Sequence, residues 1–91
     1  MELFNDENRI SSILKNIEMQ SVCSIEKIAG KLNVSAKTIR NDIKELNYLL
    51  GGYALISMNK GECKLIVVDQ RGFLEIRNKI CQEKDFFNSP Q

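Results

Sequence analysis

The strongest constraint in this sequence is a pair of helical patterns separated by a break of only a few residues. Ser24 can cap a first helix and Ser35 a second one, because a serine hydroxyl accepts hydrogen bonds from backbone N–H groups that the first helical turn leaves unpaired. The apolar residues after each serine recur at helical spacing: Ile25, Ile28, Ala29 and Leu32, then Ile39, Ile43, Leu46 and Leu50. Gly51-Gly52 can end the second helix, since glycine adopts the left-handed conformation without strain.

The residues between the two stripes suit a close crossing of the helices. Ala29 is small where the helices must approach each other, and Asn33 stands where the backbone must turn left-handed, a conformation that asparagine tolerates better than most residues. Val34 and Ile39 can fill the angle between the helices. Two helices joined in this way, the second with a polar outer face, form a helix-turn-helix.

A further helix is predicted on each side of the motif. The first has the stripe Ile10, Ile13, Leu14 and Ile17, with Asn5 or Asp6 as its cap, and residues 20–23 then indicate a break or a short strand. The last begins after Asp69, which can cap it, and its stripe is Phe73, Ile76 and Ile80.

Two β-prone runs, residues 53–58 and 63–68, predict a hairpin between the helix-turn-helix and the last helix. Asn59-Lys60-Gly61-Glu62 would form its turn, and we expect Leu65 and Val67 to face inward. The predicted fold class is therefore α+β, a winged helix-turn-helix with three helices, a β-hairpin wing and a C-terminal helix. Residues 1–85 would form this winged helix-turn-helix domain, and residues 86–91 a linker or frayed end.

Charge and composition narrow the function. The net charge is only +1, but residues 24–64 carry seven basic and four acidic side chains, a local excess that favours a polyanionic partner. The absence of histidine excludes Ser–His and Cys–His nucleophiles, and three widely spaced cysteines indicate free thiols rather than a zinc site or disulfide framework. We expect no enzyme activity, no cofactor, no metal, no membrane span and a cytoplasmic location.

The run Ser35-Ala36-Lys37-Thr38-Ile39-Arg40-Asn41-Asp42-Ile43-Lys44-Glu45-Leu46-Asn47 resembles the S-x-x-T-I-R-x-D-I-x-x-L-N signature of bacterial winged-helix regulators. DeoR-type repressors share its core. Leu46-Asn47-x-x-Leu50 and the later Lys60-Gly61-x-x-x-Leu65 are more similar to BglG/MtlR/Mga-like regulators, in which phosphotransferase-regulation domains (PRDs) follow an N-terminal winged helix.

The resemblance covers roughly residues 8–75, and it departs from the pattern at the wing, where Gly61-Glu62 stands in place of a frequent Gly-Tyr pair. It implies that these residues are the DNA-binding part of a longer regulator, of a sugar-uptake or related operon. It also implies that strong homodimerisation belongs to the full-length protein, so the 91 residues alone would be monomeric or weakly dimeric.

The outer face of the third helix holds the candidate DNA contacts. Arg40 can fork onto a guanine and Asn41 can pair with an adenine, because the major groove admits one helix and presents these base edges. The other candidates are Ala36 on the same face, Lys37, Lys44 and the wing-tip Lys60 as phosphate contacts, and Ser35 and Thr38 near the helix start.

Three of these residues also have a structural explanation. Ser35 can serve as an N-cap, Lys44 can be a solvated lysine, and Arg40 can form an ion pair with Asp42, which is not a candidate contact. Two other binding functions stay open, a protein-interaction module without DNA binding and an RNA-binding antiterminator. RNA readers use aromatic side chains for stacking, and we expect none on this face.

Overall fold

The computed structural model describes residues 5–20 and 22–81, and it confirms the α+β winged helix-turn-helix. Along the chain the elements are α1 (Asn5–Met19), β1 (Cys23–Ser24), α2 (Ile25–Leu32), α3 (Ala36–Leu50), β2 (Ala54–Asn59), β3 (Glu62–Val67) and α4 (Gln70–Ile80). The short strand predicted as one alternative for residues 20–23 forms at Cys23–Ser24 as β1, so it overlaps the predicted segment only at Cys23. The predicted cap of α1, Asn5 or Asp6, lies outside the described side chains. The predicted linker at 86–91 lies outside the described residues.

Local hydrogen bonds explain why α2 and α3 begin and end where they do. The Ser24 hydroxyl accepts from the N–H of Lys27 at 3.3 Å, and the Ser35 hydroxyl accepts from the N–H of Thr38 at 3.1 Å. Asn33 follows α2 in the left-handed conformation, with φ 61° and ψ 44°. The predicted caps and the predicted left-handed asparagine are therefore confirmed.

One apolar core joins all four helices to the sheet. All the predicted stripe residues of α1 and α3 are buried, and so are Ile25, Ile28 and Ala29 of α2 and Phe73 of α4. Leu32, Ile76 and Ile80 are partly buried and pack against the same core. Within this chain the last helix therefore uses its apolar stripe to close the core.

The three cysteines are free and buried, as expected from their spacing. Cys23 and Cys63 lie opposite each other in β1 and β3, and the thiol of Cys63 lies 3.6 Å from the carbonyl oxygen of Cys23. Burial, with a smaller contribution from the neighbouring Cys23, raises the pKa of the Cys63 thiol to about 11. Burial also raises the pKa of Cys23, against an opposing effect of Lys31. Both groups are therefore packed as neutral thiols near pH 7.

The sheet has the order β1-β3-β2, and both pairings are antiparallel. Lys60 and Gly61 form the hairpin turn and have positive φ angles of 53° and 81°. A two-residue turn needs positive φ angles at both residues to match the right-handed twist of its strands. Leu65 packs against the core as predicted, but the prediction that Val67 faces inward is wrong, since 37% of Val67 is exposed. Val67 is the last residue of β3, at the end of the part of the strand that packs against the core.

Asn47 fastens the third helix to the hairpin. Its amide nitrogen donates to the carbonyl oxygen of Ile56 at 3.0 Å, and its amide oxygen accepts from the N–H of Ile56 at 2.7 Å. Because β2 is an edge strand, these backbone groups of Ile56 would otherwise lack a strand partner. The amide side chain therefore takes the place of a neighbouring strand.

Two ion pairs connect α1 to other helices. Arg9 forms a forked contact with Asp42 of α3, with Nε donating to Oδ2 at 2.5 Å and Nη2 donating to Oδ1 at 3.2 Å. Arg77 of α4 donates through Nε to both carboxylate oxygens of Glu18, at 2.9 and 2.7 Å. α1 is thus fixed in place against both α3 and α4.

We expect Asn47→Ala to lower the free energy of unfolding by about 2 kcal/mol, because it leaves a half-buried N–H and C=O of Ile56 without partners. Asn41→Ala is the matched control, since Asn41 lies exposed on the same helix and should change that free energy by less than about 0.5 kcal/mol. Urea unfolding followed by circular dichroism measures both. Equal stability of the two variants would show that the Asn47 contact does not hold β2.

Candidate nucleic-acid interface

The exposed side of α3 carries a basic stripe, which we define as Lys37, Arg40, Asn41 and Lys44. All four residues are exposed. At 100° per residue, the four side chains lie within an arc of about 100° around the helix, in the order Asn41, Lys37, Lys44 and Arg40. The buried stripe of α3 occupies the opposite side. The helix therefore has a mainly apolar inner face, with Asp42 as its one buried charged residue, and a cationic outer face.

The ion pair between Arg40 and Asp42, given above as the structural alternative for Arg40, does not form. Asp42 is buried and points to α1, where Arg9 holds it. Among the described residues, Arg40 has no ion-pair partner, and the same holds for Lys37 and Lys44. Asp42 is thus paired with Arg9 on another side of the helix. The cations of the basic stripe therefore remain available to a ligand.

The start of α3 differs in part from the predicted arrangement. Ala36 does not face away from the core, because it is half-buried and packs against the core cluster. Ser35 is exposed, Thr38 is half-buried, and their hydroxyl oxygens lie 3.0 Å apart. The Ser35 hydroxyl therefore serves as the helix cap, which the sequence had offered as its structural explanation.

The wing is short and its tip lies against the protein. The N–H of Ile25, the first residue of α2, donates to the carbonyl oxygen of Gly61 at 2.9 Å. Lys60 is exposed at the turn, and this backbone contact holds the turn at the start of α2. Any DNA contact by Lys60 would thus come from a turn of fixed position.

One exposed aromatic was missed by the sequence reasoning. Tyr48 is 84% exposed and follows Asn41 by seven residues and Lys44 by four, which places the three side chains on one side of α3. The expectation that no aromatic lies on this face is therefore wrong. Helical periodicity was sufficient to predict this position of Tyr48, because residues three, four and seven apart lie on the same face of a helix.

A family model described as the DeoR-like helix-turn-helix domain matches residues 9–57, more than half of the chain. The chain belongs to this family. The match extends from α1 through most of β2 and includes the whole basic stripe. No curated protein and no solved structure matches the chain. Membership of a helix-turn-helix family supports DNA binding in transcription regulation, and the family is one of regulators rather than of enzymes.

Two further findings concern other kinds of site. Within residues 5–20 and 22–81, histidine, cysteine, aspartate and glutamate side chains form no group of three or more that could hold a metal ion. In the same part of the chain, none of the helices has the length and apolar character that crossing a bilayer demands.

We expect Lys60→Ala to weaken binding to all DNA duplexes alike and to reduce the slope of log affinity against log salt by about one, because a lysine at a phosphate releases about one counterion. Lys79→Ala is a matched control, since it removes an exposed lysine from α4. Fluorescence anisotropy at several salt concentrations measures the slopes. A slope identical to that of the unmodified protein would show that the short wing does not touch DNA.

Proposed function

We propose that this domain binds double-stranded DNA sequence-specifically, with α3 in the major groove, as the DNA-reading part of a transcription regulator. The basic stripe carries the proposal, because it combines three available cations and an amide on the exposed side of one helix. The hydrogen bonds of Asn47 and the ion pair of Asp42 hold that helix on two other sides. A groove-reading helix needs this combination of a polar exposed face and a rigid base.

Each member of the stripe has a defined role in this proposal. Arg40 forks onto a guanine, and Asn41 pairs with an adenine through its amide. Lys37 and Lys44 contact phosphates as point charges. At the periphery, Ser35 and Thr38 meet the DNA backbone near the helix start, and Lys60 adds a phosphate contact from the wing.

The regulator to which this domain belongs is proposed from the signature in α3. Leu46-Asn47-x-x-Leu50 supports a BglG/MtlR/Mga-like bacterial regulator with PRDs, acting in the cytoplasm on a sugar-uptake or related operon. In that context residues 1–85 form the DNA-binding domain and residues 86–91 lead towards the regulatory domains. Selection of bound sequences from a random duplex pool, followed by a genomic search for the selected site, tests the operon assignment.

We expect Arg40→Ala to weaken binding to the selected site by about 1–3 kcal/mol and to relax specificity at one base pair, because a bidentate guanine contact discriminates by that amount. Arg71→Ala is the matched control, since Arg71 is an exposed arginine at the start of α4. Anisotropy titrations with the selected duplex and a scrambled duplex measure the effect. An equal loss on both duplexes would make Arg40 a phosphate contact.

We expect the 91-residue chain to sediment as a monomer, or at most a weak dimer, at micromolar concentration. Among the described residues, the outer side of the hairpin has a cluster of exposed apolar side chains: Tyr53, Leu55, Ile66 and Val68 are each 42–71% exposed. Four such side chains offer on the order of 400 Å², about half of the ~800 Å² per partner in a typical stable interface.

Analytical ultracentrifugation measures the molecular mass. If the chain formed a stable dimer, Leu55→Lys would identify the interface, because a charge at the centre of this patch would dissociate a dimer formed there. Paired DNA half-sites would then need no additional dimerisation domain, contrary to the proposal.

A further inference from the structure

Tyr48 is the most exposed of the large apolar and aromatic side chains in the described part of the chain, with 84% of its surface in contact with solvent. Among the described residues, its hydroxyl group has no hydrogen-bond partner. The other tyrosine differs, because the ring of Tyr53 lies directly over Gly72, where an added Cβ would stand 2.3 Å from the ring. Packing thus explains Tyr53 and does not explain Tyr48.

The distance along α3 from Lys37 to Tyr48 is long enough to span the major groove of DNA. Eleven residues separate Lys37 from Tyr48, which is about 16 Å along a helix at 1.5 Å per residue. The major groove is about 12 Å wide. A helix that crosses the groove with Lys37 near one phosphate backbone therefore brings Tyr48 to the opposite backbone.

The last turn of α3 offers no cation for that second backbone, since Lys44, the basic residue of the stripe nearest to Tyr48, lies one turn earlier. The last turn of α3 contains no basic residue, and Glu45 is exposed one turn before it. The C-terminal end of a helix also carries partial negative charge, which disfavours a phosphate close to the helix axis. A long neutral donor avoids this repulsion, since the phenol of Tyr48 extends its O–H well away from the helix end.

We propose that the hydroxyl group of Tyr48 donates a hydrogen bond to a DNA phosphate on the strand opposite to the one that Lys37 contacts. Tyr48 is thus a positioning residue, which sets how deeply and at what angle α3 lies in the groove. This inference rests on the proposed function, because it requires α3 to occupy the major groove. It adds a contact at the C-terminal end of the helix, whereas the base-reading residues lie in its N-terminal half.

The test compares Tyr48→Phe with the unmodified 91-residue chain on the selected duplex and on a scrambled duplex. We expect about tenfold weaker binding to both duplexes, which is the usual effect of losing one hydrogen bond to a charged partner. The salt slope should stay unchanged, because a neutral phenol releases no counterion, whereas Lys44→Ala should reduce the slope by about one. Equal melting temperatures of Tyr48→Phe and the unmodified chain establish that the fold is intact.

Two controls separate this contact from others that an exposed tyrosine can make. Tyr53→Phe removes the other phenol hydroxyl and should leave binding unchanged. Tyr48→Ala should lose no more affinity than Tyr48→Phe. A large additional loss in Tyr48→Ala, with Tyr48→Phe binding normally, would show that the ring stacks on a base and would overturn the phosphate contact.

The remaining outcomes distinguish this inference from the proposed function. If the unmodified chain binds a selected duplex and Tyr48→Phe binds it equally well, the inference fails and the proposed function stands. If Tyr48→Phe weakens binding only to the selected duplex, Tyr48 reads a base and the phosphate contact is wrong. If the unmodified chain selects no duplex at all, both proposals fail together.

Discussion

The paired hydrogen bonds between Asn47 and Ile56 fix the position of α3 relative to the hairpin. One amide side chain satisfies both free backbone groups of an edge-strand residue, so a single side chain joins α3 to the wing. On another side of α3, Asp42 accepts the forked contact of Arg9 from α1. The helix is therefore held by directional contacts on two sides, in addition to its apolar face, and its outer face stays exposed.

This arrangement separates two uses of charge within one short helix. Asp42 is buried and neutralised by Arg9, whereas the cations of the basic stripe lie in solvent without ion-pair partners among the described residues. Unpaired surface cations contribute little to stability, but they are what a polyanion needs. The overall charge of +1 conceals this division, because acidic residues elsewhere in the chain offset the local excess.

The wing is a short hairpin whose turn is bonded to the rest of the domain. The β1–β3 pairing and the bond from Ile25 to Gly61 tie the hairpin turn to the start of α2. The proposed DNA contacts therefore come from the face of α3 and from a hairpin turn that is bonded directly to the start of α2. Such a surface can meet DNA with little rearrangement, which lowers the entropic cost of binding.

The sequence by itself determined the local features of this protein. The caps at Ser24 and Ser35, the left-handed Asn33 and the apolar stripes depend on contacts within a few residues, so propensity and periodicity were sufficient to predict them. The basic stripe was also predictable, and the same periodicity places Tyr48 beside it. Only the tertiary structure decided that Asp42 pairs with Arg9, that Asn47 binds β2, that Val67 stays exposed and that the wing tip lies against α2. These outcomes depend on which distant segments meet, and local spacing does not encode the distance between residues far apart in the chain.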